Sequence, residues 1–194
     1  AQAIGDLNGG LSFLRSSPHV TDRICLVGFC SGWRLGLVFA SSVTELDVFV
    51  NFYSNGLFQS TDVNPVPPGE IAKNLSCPML TIYGHEDTNP SPDDMTRLRR
   101  IVEGTSNTFE FVSYKNTAHA FLSDTRNNYR PEIIALSEEM EIEVEIGYEG
   151  RRLVVRRAPL APLVPANNGR SGYFLCSFSL GSQNRSTRRP NLLE

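Results

Sequence analysis

Apolar residues recur every three or four positions at the start of the chain, at Ile4, Leu7, Leu11 and Leu14, and Pro18 ends the run. This spacing predicts a helix over residues 1–17. Ile24, Leu26 and Val27 then predict a strand over residues 23–28, followed by a helix over 33–42 packed behind it. Residues 46–53 are nearly continuous in Val, Phe and Tyr, as a strand buried on both faces of a parallel sheet requires, and residues 79–83 repeat that pattern. The stretch between them, 54–69, is rich in Asn, Gly and Pro and predicts a loop. Proline, an acidic first turn and apolar spacing predict a helix over 92–103; a strand over 108–114 and a helix over 131–140 follow. Strands alternating with helices predict an α/β fold with a mainly parallel sheet flanked by helices.

After Met140 the period changes to two. Ile142, Val144 and Ile146 alternate with glutamates, Gly147 to Gly150 reads as a turn, and Leu153 and Val155 alternate with polar residues, which predicts a β-hairpin over 141–157. From residue 158 to 194 Pro, Asn, Gly, Ser and Arg dominate; a largely irregular tail is expected, with a short strand at 173–178. Residues 1–140 are therefore expected to form the main domain.

Charge follows the same division. Ten basic and twenty acidic residues lie in 1–150, whereas eight arginines face Glu194 alone in 151–194. An acidic main body disfavours nucleic acid as a partner. No apolar stretch approaches the roughly 20 residues that a bilayer helix needs, and no basic-then-apolar leader opens the chain, so no membrane association and a cytoplasmic location are expected. Cys25, Cys30, Cys77 and Cys176 lack C-x-x-C spacing, which argues against a zinc cluster or a disulfide framework and for reduced thiols.

One segment carries chemistry. Residues 26–32 read Leu-Val-Gly-Phe-Cys-Ser-Gly, an apolar strand running into G-x-C-x-G with Cys30 at its centre. This is the nucleophile-elbow pattern with cysteine in place of serine. A helix starting just after the cysteine would aim its free N–H groups and positive dipole end at the sulfur, favouring thiolate over thiol and leaving a backbone donor for an oxyanion. A thiol nucleophile also needs a base, and the base an acid to hold its tautomer. His119 follows the last strand of the alternating pattern, and Asp87 lies just after the strand at 79–83, so both share the carboxyl end of the sheet with Cys30. The order Cys30, Asp87, His119 is nucleophile, acid, histidine. His19 is expected at the opposite end of the sheet, His85 in the loop or exposed, and Asp93 and Asp94 in the first turn of a helix.

Three separated motifs now carry a resemblance. Gly-Phe-Cys-Ser-Gly-Trp, Cys-Pro-Met-Leu-Thr-Ile-Tyr-Gly-His-Glu-Asp-Thr-Asn-Pro-Ser-Pro and Ser-Tyr-Lys-Asn-Thr-Ala-His-Ala-Phe-Leu-Ser-Asp-Thr-Arg resemble the dienelactone hydrolase family, over roughly residues 1–140. The resemblance implies an α/β-hydrolase fold, with Cys30 as nucleophile, Asp87 as acid, His119 as base and the Ser31 backbone N–H as an oxyanion donor. It implies hydrolysis of a small-molecule ester or enol-lactone such as carboxymethylenebutenolide through an acyl-cysteine, with no metal or organic cofactor. Trp33, Tyr53, Phe58 and Phe121 are candidates to line a substrate pocket, and Arg34 and Arg126 to meet an anion.

In the family, several strands and a helix precede the helix at residues 1–17, so the chain reads as an N-terminally truncated, partial α/β-hydrolase fold. Such a sheet is expected to expose the edge where the earlier strands would lie. Two other readings follow: a non-catalytic remnant acting as an interaction module through that edge, and a thioesterase or acyl-ester hydrolase using the same three residues.

Overall fold

The computed structural model describes residues 2–18, 23–62 and 65–133, and beyond them the backbone of three strands within 142–177. In chain order the elements are α1 (Gln2–Ser16), β1 (Ile24–Phe29), α2 (Ser31–Ala40), β2 (Val48–Phe52), α3 (Pro68–Ile71) with a 3-10 turn at Ala72–Asn74, β3 (Met79–Gly84), α4 (Pro92–Val102), β4 (Phe109–Tyr114), β5 (Ile142–Tyr148), β6 (Arg151–Val155) and β7 (Tyr173–Ser177). Bounds differ from the sequence expectations by a residue or two, apart from the helix expected at 131–140. Residues 131–133 are helical there, and 134–140 lie outside the described residues.

β1 to β4 are mutually parallel and adjacent in sequence order, with Leu26 beside Phe49, Val50 beside Leu80 and Thr81 beside Phe111. Parallel crossovers that always step the same way and keep a right-handed turn must run over one face of the sheet. The packing agrees. Ile24, Leu26, Phe49 and Met79 point to the face covered by Leu7 and Leu11 of α1, Trp33 and Leu37 of α2 and Met95 and Leu98 of α4. Their alternates, Cys25, Val48, Val50, Leu80 and Ile82, point to the other face and pack with Ala120, Phe121 and Ile133. Strict alternation of two apolar sets is what makes these strands look continuously hydrophobic in sequence.

α4 begins where its sequence dictates. Ser91 Oγ accepts the Asp94 N–H at 3.1 Å, the Asp94 carboxylate accepts the Ser91 N–H at 2.9 Å, and Pro92 occupies the first turn. Asp93 and Asp94 therefore serve the helix start.

The sheet does not stop at β1. β7 pairs with β1 antiparallel, with Ile24 opposite Ser177 and Gly28 opposite Tyr173, so the five-stranded order is β4-β3-β2-β1-β7. This corrects the expectation of an open edge at β1: the backbone groups on that side have a partner, supplied by the short strand foreseen at 173–178. β5 and β6 form a separate antiparallel pair, as the period-two pattern foretold, with an irregularity between Val144 and Tyr148.

At the junction of β1 and α2 the backbones nearly touch. A Cβ on Gly28 would lie 2.8 Å from the Trp33 Cα, a distance that side chains do not tolerate. Gly28→Ala is therefore expected to destabilise the domain by about 1–3 kcal/mol, as overpacking typically does, read as a lower urea midpoint with unchanged slope.

Candidate active site

Four loops leave the carboxyl ends of β1 to β4 and meet above the sheet. The first is one residue long. Cys30 lies between β1 and α2 with φ 52°, a left-handed backbone that non-glycine residues seldom adopt, and caps the helix. Its N–H donates to the Phe52 carbonyl at 3.1 Å and its carbonyl accepts the Trp33 N–H at 3.2 Å, so the strained turn is clamped at both ends. Ser31 is the first residue of α2, among the N–H groups that the helix ladder leaves unused, and the positive end of the helix faces the sulfur's turn.

The loop after β3 supplies Asp87, 2% exposed. The loop after β4 supplies His119. Its Nδ1 lies 2.8 Å from Asp87 Oδ2, and its Nε2 lies 3.2 Å from Cys30 Sγ. A carboxylate can only accept, so Nδ1 carries the proton toward Asp87 and Nε2 is directed at the sulfur. The three side chains singled out from sequence thus stand in one hydrogen-bonded line, although 89 positions separate Cys30 from His119.

The two loops are tied by backbone as well. His85 N–H donates to the Tyr114 carbonyl and Glu86 N–H to the Thr117 carbonyl, both at 2.9 Å, while Gly84 approaches so closely that a Cβ would lie 2.2 Å from the Thr117 oxygen. On the far side of His119, its carbonyl accepts Asn128 Nδ2 at 3.1 Å, and the Asn116 carbonyl accepts both Nε and Nη2 of Arg130. Tyr53, Asn116 and Ala120 join Cys30 in having positive φ. Every non-glycine residue of that kind among those described therefore lies in a loop at this end of the sheet. Backbone strain of this sort concentrates at functional sites, where the surrounding structure holds it in place.

Electrostatics set the charge of the line. Burial pulls the His119 imidazole down, but hydrogen bonds to Asp87 and Cys30 and the charges of both outweigh it, raising the group from 6.5 to about 9. Tyr53 lies edge-on to the His119 ring, 5.4 Å between centroids. Its hydroxyl is pushed well above the usual tyrosine range, first by burial and then by the Cys30 charge, with Arg126 acting in the opposite direction.

The other candidates divide. Tyr53 stands beside the imidazole, whereas Phe121 packs edge to face behind it, 5.1 Å between ring centroids, and is fully buried in the core of that sheet face, so it does not line a pocket as expected. Nor does Trp33: its first-turn position on α2 turns the fully buried indole into the core on the helical face, with Leu37 and Phe49. Phe58 lies under the Arg97 guanidinium, 3.9 Å from it, and Arg34 donates to the Gln59 carbonyl. His85 is exposed, and His19 lies outside the described residues. Two residues not singled out from sequence also reach the site. Asn55 Nδ2 lies 3.8 Å from Cys30 Sγ, and Asn89 bonds both Asn55 and Asp87. Their only sequence signal is position, just beyond the ends of β2 and β3.

With this geometry in view, comparison with known proteins defines the class. Residues 1–143 match the family model described as the dienelactone hydrolase family, and the chain belongs to that family. A protein of Methylorubrum extorquens named "Putative carboxymethylenebutenolidase" is 29% identical over 133 residues, covering 68% of this chain and 46% of that protein. An Escherichia coli protein of the same name is 27% identical over 139 residues, covering 72% and 50%. The chain thus spans about half the length of these relatives. The crystal structure of a "Putative Dienelactone Hydrolase" from Klebsiella pneumoniae superposes with a TM-score of 0.61 at 28% identity, covering 66% of this chain and 54% of that one. An acylaminoacyl peptidase of Pyrococcus horikoshii, 18% identical with a TM-score of 0.57, shares the fold over 78% of this chain and 29% of its own. No helix among the described residues is long and apolar enough to cross a membrane.

The raised imidazole has a consequence for stability. A basic group whose folded value lies above its unfolded one stabilises the fold fully below pH 6.5, and that contribution is lost as pH rises through about 9. The unfolding free energy of the wild type should therefore exceed that of His119→Gln by on the order of 2 kcal/mol at pH 6 and converge toward it by pH 10, measured by urea titration.

Proposed function

We propose that the chain belongs to an enzyme that hydrolyses a small-molecule ester or enol-lactone of the dienelactone type, with Cys30 as nucleophile and an acyl-cysteine intermediate. One observation carries this reading: Sγ, the imidazole and a buried carboxylate lie in line at 3.2 and 2.8 Å, at the start of a helix. Family membership supports the reaction class.

In the reaction so read, the Cys30 thiolate attacks the substrate carbonyl carbon, forming a C–S bond while the carbonyl π pair moves to oxygen. The Ser31 N–H, at the head of α2, stabilises that oxyanion. As the tetrahedral species collapses, the C–O bond to the leaving group breaks, and the imidazolium of His119 gives its Nε2 proton to the departing oxygen. Neutral His119 then takes a proton from water, whose oxygen attacks the thioester and expels the thiolate, yielding the acid and restoring the ion pair. For a cyclic enol-lactone the leaving oxygen stays on the same molecule as an enol. Asp87 keeps the imidazole in one tautomer throughout. Tyr53 supplies an apolar face beside the imidazole, with Phe121 packed behind it. A reducing compartment such as the cytoplasm, and a site with neither metal nor organic cofactor, belong to the same reading.

Assay of a dienelactone, p-nitrophenyl acetate and an acyl thioester tests it. Cys30→Ala and His119→Ala should each lower kcat/KM by about 10³-fold or more, and Asp87→Asn by less than Cys30→Ala. A preference for the thioester would redirect the substrate class. Equal rates for wild type and Cys30→Ala on all three compounds would overturn the hydrolase reading in favour of a non-catalytic remnant.

A further inference from the structure

The sulfur of Cys30 has a further contact besides His119. Asn55, in the loop that leaves β2, directs Nδ2 toward Sγ at 3.8 Å, within donor range for a large, diffuse sulfur acceptor. Which end of an amide faces a neighbour is settled only by the groups around it, and here a backbone group settles it. The Gly56 N–H can only donate, and it meets Asn89 Oδ1 at 2.9 Å. The Asn89 side chain must therefore offer Nδ2 on its other end, and this donates to Asn55 Oδ1 at 3.2 Å. With its oxygen so engaged, Asn55 has only its NH2 group to offer the sulfur. Asn89 is itself anchored, since its own N–H donates to Asp87 Oδ1 at 2.9 Å, the carboxylate oxygen that His119 does not use.

The contacts close a ring: Cys30, His119, Asp87, Asn89, Asn55 and back to Cys30. We propose that Asn55 is a second hydrogen-bond donor to the Cys30 thiolate, locked in the donating orientation by Asn89. The inference rests on the reading of Cys30 as the nucleophile and adds a residue to it. A hydrogen bond to an ionised acceptor favours the ionised form, so the amide and the imidazolium act on the sulfur in the same direction. Among the described residues, the ionisable groups around the sulfur include His119 from the loop after β4, Asp87 behind it, and Tyr53 just after β2 with Arg126 acting on it. Tyr53 stays protonated throughout the range in which the thiol titrates, so it does not confuse the measurement.

The test is the pH profile of iodoacetamide alkylation on the full chain, followed at Cys30 by peptide mass spectrometry. Buried Cys77, whose thiol is pushed up to about 12 by burial and then by Asp47, serves as the unreactive reference. The wild type should titrate well below the ordinary thiol value of about 8.5. Asn55→Ala should move the midpoint up by about half a pH unit or more and slow alkylation about 3-fold or more near pH 6. Asn55→Asp, of the same shape but carrying negative charge in place of the donor, should move it further. Asn89→Ala, which does not contact the sulfur, should move it in the same direction by less, with no added effect in the Asn55→Ala background. A midpoint unchanged in Asn55→Ala and Asn55→Asp while the wild type remains low would overturn the role of Asn55 and leave Cys30 and His119 as read. A wild type already at about 8.5 and insensitive to His119→Ala would overturn both.

Discussion

A buried carboxylate is tolerable only when its oxygens are satisfied, and Asp87, 2% exposed, meets that demand with groups from two loops. One oxygen faces His119 of the loop after β4, and the other accepts the N–H of Asn89, two residues ahead. Through Asn89 the same charge reaches Asn55 and Gly56 beyond β2. One desolvated charge thereby sets the relative position of three loops and, through the imidazole, the surroundings of the sulfur. The line from Sγ to the carboxylate depends on it in both geometry and electrostatics, because the imidazole's raised affinity for its proton derives first from that hydrogen bond.

Strain and support are arranged around that charge. Cys30, Tyr53, Asn116 and Ala120 all hold left-handed backbone angles, each costing of order 1–3 kcal/mol. The rigid part of the molecule bears this cost: two apolar faces on one parallel sheet, with Trp33, Phe39 and Phe49 fully buried on one side and Phe121 on the other. Close packing gives such a scaffold little room to relax. The glycines at 28 and 84 sit where backbone meets backbone, one beneath the Cys30 turn and one between the Asp87 and His119 loops. They matter through the absence of a side chain more than through flexibility.

The family match covers residues 1–143, yet the strand beside β1 comes from beyond it. β7 runs antiparallel to β1 and supplies hydrogen-bonding partners along an edge that would otherwise template association with another chain.

Much of the architecture was legible in order and period. Continuous apolar runs marked the parallel strands, three-to-four spacing marked the helices, and Ser91, Pro92 and Asp94 marked the start of α4, because all of these depend on local chemistry. Cys30 was legible for the same reason: a glycine-bounded turn after a buried strand is a local signal. Asp87 and His119 followed from the rule that parallel strands deliver their trailing loops to one end. What the sequence could not convey were contacts between residues far apart in the chain, which exist only once the strands are in register. Asn55 and Asn89, 34 positions apart, show no periodicity and no motif, and only register brings their amides together beside the sulfur. Trp33, one residue from the elbow glycine, looked like a pocket residue until the helix direction turned it inward, and the edge of β1 looked open until β7 paired with it. Periodicity reports which face of an element is buried; the partner that buries it is decided by long-range packing, where the free energy of folding is gained.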